Sequence, residues 1–310
     1  MKGKGFGLVI FVVALVVSLV SVSPAVGADK PVWRILWAVL PEVDYTHSTG
    51  ERIAITMTSK DLEVCERMAK RTEIFMEEAA KGAVDFEVVA KVSNQVVTTL
   101  SDSGLNGIWL APSDLPTDIQ NEINSYMQTN NAYQLIVGTI RLEEEEYNPL
   151  TSYYGGLTVS QYSYVKLFPG YHYEWYDESS PANPYPELEW IHELLHGIVN
   201  HYSAKGYSMP DIHYPENYGF PGLNGLGAEG NEEFYRAFLS GNLYDSAGRQ
   251  VGITPDMWQL KSNSTPTNPT TPTSPSPTPT SKDGGGGGCD TSLAGISLLA
   301  VVALFGRKRS

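Results

Sequence analysis

The stretch His192-Glu193-Leu194-Leu195-His196 sets two imidazoles four residues apart, with a carboxylate directly after the first. At 3.6 residues per helical turn, positions four apart stack on one face, so both rings can converge on one ion while Glu193 flanks it. Neutral imidazole nitrogens suit a borderline-soft dication such as Zn2+, and an open coordination position lets the ion hold a water and lower its pKa towards about 7. Glu193 is then the candidate general base, which takes that water's proton and later delivers it to a leaving amine.

Two imidazoles are not enough, and the third ligand must come from another segment. His213, in Met209-Pro210-Asp211-Ile212-His213-Tyr214, is the first choice, because a loop leaving the helix can fold back over the metal and histidine is a common zinc donor. Asp211 is its neighbour and serves either as the ligand or as the acceptor that fixes an imidazole. His201 lies five residues after His196, which rotates it away from the metal face while the helix continues. A developing oxyanion also needs a donor, for which Tyr214, Tyr218 and Tyr235 are the phenols at hand.

These residues need a scaffold, and the pattern along the chain is α+β. Pro184-Tyr185-Pro186 closes a loop, and Glu187 to Ala204 reads as the helix that carries the histidines, with Gly206 as its stop. Before it, apolar runs at Trp33 to Leu40 and Ile53 to Met57 read as strands. Ser59 caps a long amphipathic helix from Lys60 to about Lys81, ended by Gly82. Strands are expected at Val84 to Val92, Val96 to Leu100, Gly107 to Leu110 and Tyr133 to Leu142, with a helix near Thr117 to Met127. Tyr153 to Phe168 reads as one or two further strands at a sheet edge, and a last helix runs from Glu229 to Leu239, capped by Gly241.

Trp190-Ile191-His192-Glu193-Leu194-Leu195-His196-Gly197 resembles the active-site helix of zincin metallopeptidases. The resemblance implies a single domain with a twisted mixed sheet, a long packing helix, an active-site helix and an antiparallel edge strand that holds a peptide or protein substrate. It also brings further third-ligand candidates. In metzincin-type sites the extended motif would place a ligand at position 202, which here is Tyr202, so that subclass is not matched. Gluzincin-type sites take a later glutamate, for which Glu216 and Glu229 are the alternatives. The stretch from His192 through Pro210-Asp211, Tyr218-Gly219 and Phe234-Tyr235-Arg236 is also similar to a set of bacterial secreted proteins with a His-Glu-x-Leu-His helix. The reading that follows is a zinc-dependent hydrolase cleaving amide bonds. Its rivals are a surface adhesin or binding module that keeps the scaffold without turnover, and a purely structural surface domain.

Both ends of the chain point outside the cytoplasm. Lys2 and Lys4, the apolar stretch from Phe6 to Val20 and the small residues Ala25-Val26-Gly27-Ala28 read as a signal peptide over 1–28, which leaves 29–261 as the catalytic domain. Residues 262–283 form a Pro/Thr/Ser-rich spacer that cannot pack a core. In 284–310 come Gly284 to Gly288, Cys289 and Asp290, an apolar segment from Thr291 to Gly306, and Arg307-Lys308-Arg309. That tail resembles bacterial C-terminal sorting signals of the glycine-glycine and Synergist types. The resemblance implies a membrane helix, a sorting protease that cuts near the glycines, and delivery to the cell surface.

Composition narrows the partners further. The formal net charge is −14, and five of the cations, Lys2, Lys4, Arg307, Lys308 and Arg309, lie in the terminal segments, so the domain between is more acidic still. Such a surface disfavours nucleic acid and anionic lipid. The run Glu143 to Glu146 reads as a solvated loop, with a calcium or cationic-peptide site as its alternative. Cys65 and Cys289 are the only cysteines, so no disulfide framework holds the domain, and Cys65 reads as a small buried apolar residue.

Overall fold

The first apolar run becomes the centre of a sheet. In the computed structural model, which describes residues 30–102, 107–127, 133–143, 150, 156–167, 185–222 and 229–259, β1 (Val32–Leu40) lies between β4 (Asp85–Val92) and β7 (Leu135–Arg141). Its neighbours both run parallel to it, with Trp33 opposite Phe86 and Ile35 opposite Leu135. Outside β7 come β9 (Tyr162–Leu167), parallel, and β8 (Gly156–Val159), antiparallel, at the edge. The result is a five-stranded mixed sheet in the order β4-β1-β7-β9-β8. Tyr153 to Phe168 thus supplies two strands, one of them at the edge.

Alternation along β1 explains why its apolar run is nearly unbroken. Trp33, Ile35, Trp37 and Val39 face one core, with α1 (Ser59–Ala79), α3 (Leu188–Ser203) and α4 (Glu229–Leu239). Leu36, Ala38 and Leu40 face another, with Ile119 and Ile123 of α2 (Thr117–Met127) and with Trp109. A strand covered on both faces has no polar alternation to display. Cys65 is buried in the first core and unbridged, and burial pushes its thiol up to about 12.

The long helix starts at the expected cap, Ser59, and its own cap lies one residue earlier. Thr58 is the N-cap, its side chain accepting from the Asp61 amide while the Asp61 carboxylate accepts from the Thr58 amide at 2.6 Å. That carboxylate also takes the Arg141 guanidinium at 3.1 Å, which ties the helix start to the end of β7. Two departures occur in the second core. A hairpin of β2 (Glu42–Thr46) and β3 (Arg52–Thr56) forms where only the second strand was expected. The expected strand at Val96 to Leu100 shrinks to a single bridge between Val97 and Val43, followed by β5 (Ser101–Asp102) paired with β6 (Ile108–Trp109).

At the other end of the chain, α5 (Pro255–Trp258) closes the first core by receiving the Tyr202 hydroxyl on the Met257 carbonyl at 2.8 Å. Among the described residues, no helix is long and apolar enough to cross a membrane. The signal peptide expected over 1–28, the spacer over 262–283, the tail over 284–310 with Cys289, and Glu144 to Glu146 lie outside the described residues.

Candidate metal centre

The histidine helix is held from all sides. Glu187, at its N-cap position, makes no capping bond and instead accepts from the Arg71 guanidinium of α1 at 2.7 and 3.1 Å. Leu188, Trp190, Ile191, Leu194, Leu195, Ile198 and Tyr202 all enter the first core. Gly197 lets the helix approach the sheet, since a Cβ there would lie 2.8 Å from Leu135 Cδ2. Gly206, at a φ of +85°, follows its last turn.

One face of this helix meets the loop that follows it. His192, His196 and His213 each bring a ring nitrogen to within 4.8 Å of the others, which is a group that could hold a metal ion. Ring centroids stand 4.8 Å apart for His192 and His196, 5.3 Å for His192 and His213, and 4.5 Å for His196 and His213. The donor set fits a cation. The Nε2 atoms of His196 and His213 are buried and have no hydrogen-bond partner, a costly state for a polar atom unless something else takes the lone pair. Burial, with the neighbouring His213 ring second, pushes the His192 imidazole down to about 3, and burial pushes His196 well below its ordinary value. Burial thus favours the neutral form of both rings, the form that binds a metal.

The outward nitrogens have partners that orient the rings. His192 Nδ1 lies 2.6 Å from the Tyr235 hydroxyl of α4. His213 Nδ1 lies 3.3 Å from Asp211 Oδ1, and the His213 amide donates to the same oxygen at 3.0 Å. The hydrogen bond with His213 holds the Asp211 carboxyl below the usual carboxylate range. Asp211 thus acts as the acceptor beside a candidate ligand, and with Nδ1 engaged on both rings it is Nε2 that each could offer an ion.

The other candidates land elsewhere. His201 is turned to the far side of α3, where its Nδ1 meets Gln161 Nε2 at 2.6 Å and its ring meets Trp33 edge-on. Glu216 is exposed on the short turn Pro215–Tyr218 and does not join the histidines. Glu229 opens α4, but its side chain is outside the described residues. Of the three phenols, Tyr235 is engaged with His192, Tyr218 accepts from the Asp211 amide at 2.9 Å, and Tyr214 is exposed beside His213.

Glu193 faces the edge of the sheet. Thr158 Oγ1 on β8 lies 2.7 Å from Glu193 Oε2 and 3.0 Å from the Glu193 carbonyl, and Ser163 Oγ on β9 lies 3.0 Å from that carbonyl. A hydroxyl has one proton, so Thr158 donates to the carboxylate, the shorter and more strongly charged partner, while Ser163 serves the carbonyl. A Cβ on Gly156 would come within 2.5 to 2.6 Å of Cγ, Cδ and Oε1 of Glu193. One turn earlier, Glu189 is buried, and desolvation, with the Glu193 charge second, raises its carboxyl to about 8. Glu143 is buried rather than solvated, because Lys166 of β9, itself 1% exposed, donates to it at 3.2 Å.

Sequence reasoning missed Gly156, Thr158, Ser163 and the Lys166–Glu143 pair. Glu189 carried a signal, since it precedes Glu193 by one helical turn. Compared with protein-family models, curated proteins and solved structures, the chain matches none.

Proposed function

We propose that the chain is an exported, surface-tethered zinc hydrolase of the zincin type that cleaves peptide bonds. The observation that carries this reading is the convergence of His192, His196 and His213, with two of their Nε2 atoms buried and bare, on the helix that also carries Glu193. His192, His196 and His213 would hold the ion, and such an ion supplies Lewis acidity towards water and towards a carbonyl oxygen. Glu193 accepts the proton of the attacking water and passes it to the departing amine. The Thr158 hydroxyl donates to Oε2 of that carboxylate and so holds its orientation.

The edge of the sheet supports a peptide as the substrate class. Among the described residues no strand pairs with the outer side of β8, and β8 runs past Glu193. An extended peptide can add to such an edge through main-chain hydrogen bonds, with its scissile bond brought to the metal. The leader-like 1–28 segment and the glycine-rich, apolar and basic tail over 284–310 support export, tethering through a membrane helix and processing by a sorting protease.

Metal analysis of the purified full chain, beside peptide-library cleavage, tests this reading. We expect one equivalent of zinc in the wild type and in Glu193→Gln, none in His192→Ala or His213→Ala, and cleavage by the wild type alone. Loss of the general base should lower kcat by about 100-fold or more. A chain that takes up no metal overturns the reading, and a zinc-loaded chain that cleaves nothing in the library replaces it with a binding module.

A further inference from the structure

A histidine presents Nε2 to a metal only when its ring proton sits on Nδ1, and the tautomer is set by what Nδ1 meets. At His192 the partner is the Tyr235 hydroxyl oxygen, 2.6 Å away. We propose that Tyr235 is a positioning residue for the metal: its oxygen accepts the Nδ1–H of His192, fixing the tautomer and aiming Nε2 at the point shared with His196 and His213. This inference rests on the metal-centre reading and adds to it a residue from an element that supplies no ligand.

The geometry gives Tyr235 a rigid mount. It is 1% exposed, between the fully buried Phe234 and Phe238 on the same helix. The next residue, Arg236, pairs with Glu232 at 2.6 Å, reaches Glu78 of α1 at 3.6 Å, and places its guanidinium 4.4 Å above the Phe75 ring. Thus α4 is pinned to α1, and α1 is pinned to the start of α3 through Arg71 and Glu187. A phenol carried on that framework cannot follow a ring that swings away, so the imidazole is oriented before any ion arrives. The partners also differ in kind. His213 has a carboxylate, which draws its ring proton strongly, whereas His192 has a neutral phenol that orients the ring and adds no charge.

Zinc titration of the full chain against a competing chelator, at one pH, provides the first test. Tyr235→Phe removes a single oxygen and keeps the ring in its apolar setting, and the expected result is a Kd weakened about 10- to 100-fold. Thermal unfolding of the metal-free variant should stay close to that of the metal-free wild type. An unchanged Kd overturns the proposal. The second test needs no variant: in the cobalt-substituted wild type, proton NMR should display a paramagnetically shifted ring N–H of His192, identified by its nuclear Overhauser contact with the Tyr235 ring protons, that exchanges slowly with water. Rapid exchange of every shifted ring N–H overturns the proposal even if Tyr235→Phe fails to fold. A wild type that binds neither zinc nor cobalt brings down the metal-centre reading itself, which is a distinct result.

Discussion

Glu189 and Glu193 stand one turn apart on α3, and their surroundings give them different protonation chemistry. Glu193 receives the Thr158 hydroxyl, while Glu189 Oε1 is buried with no hydrogen-bond partner and its carboxyl is raised to about 8. A carboxyl raised from 4.5 to about 8 stays protonated in the folded chain while the unfolded chain releases its proton, so the unfolded state binds fewer protons across that interval. Stability therefore falls as pH rises from about 4.5 to about 8, by up to about 1.4 kcal/mol per unit, and is insensitive to this group outside that window. Glu189→Gln keeps the shape and abolishes the titration. Thermal unfolding should find the variant increasingly favoured over the wild type from pH 5 to pH 8, with the gain levelling above it; parallel curves would show that Glu189 ionises freely. Glu143 teaches the complementary lesson about reading residues. A run of four glutamates looks solvated, and its first member is buried only because Lys166, in a strand otherwise made of Tyr, Ser, Val and Leu, waits for it across the sheet. Nothing local to either residue announces such a pair.

Among the elements, α3 was the most legible and β8 the least, for a physical reason. Helical spacing, a proline-closed entry and a glycine stop are all local, so the sequence alone delimits α3 and puts His192 and His196 on one face. What β8 does depends on its register against β9 and on the approach of α3, both of them long-range. Likewise β2 is a polar strand that exists because β3 pairs with it and Val97 borders it, and the expected Val96 to Leu100 strand yields to a bulkier arrangement of short bridges. The role of β8 is open to a substitution that adds one carbon and two hydrogens. Gly156→Ala would put a methyl group where Glu193 Cγ, Cδ and Oε1 now lie. The metal ligands are on other residues, so zinc content should remain one equivalent. Displacing the base by about 1 Å should cost about 100-fold in kcat/KM. Wild-type kcat/KM in a zinc-loaded Gly156→Ala chain would remove Glu193 from the role of positioned base.

For the molecule as a whole, the question is what an ion at the three histidines holds together. Two candidate ligands sit on α3, packed into the first core along much of its length, while His213 belongs to the segment between α3 and α4, whose anchors are fewer: Ile212 in the first core, Asp211 to His213, and the Asp211 amide to Tyr218. An ion bound there would therefore staple a loop to a helix that is already fixed, and the two should respond differently to its removal. By mass action, free zinc at about 100 times Kd adds about 2.7 kcal/mol to the folded state, which for a domain of this size raises Tm by roughly 5 to 10 °C. Chelation should reverse that shift. Hydrogen exchange locates the effect: amides in 207–219 should lose most of their protection with chelator present, while those of β1, flanked by β4 and β7 and covered by both cores, should exchange as before. If chelator instead sped exchange evenly through β1 and the loop, the ion would be a structural requirement of the entire fold and not a late addition to a preformed site. If it changed neither Tm nor exchange, the three histidines would hold no ion at all.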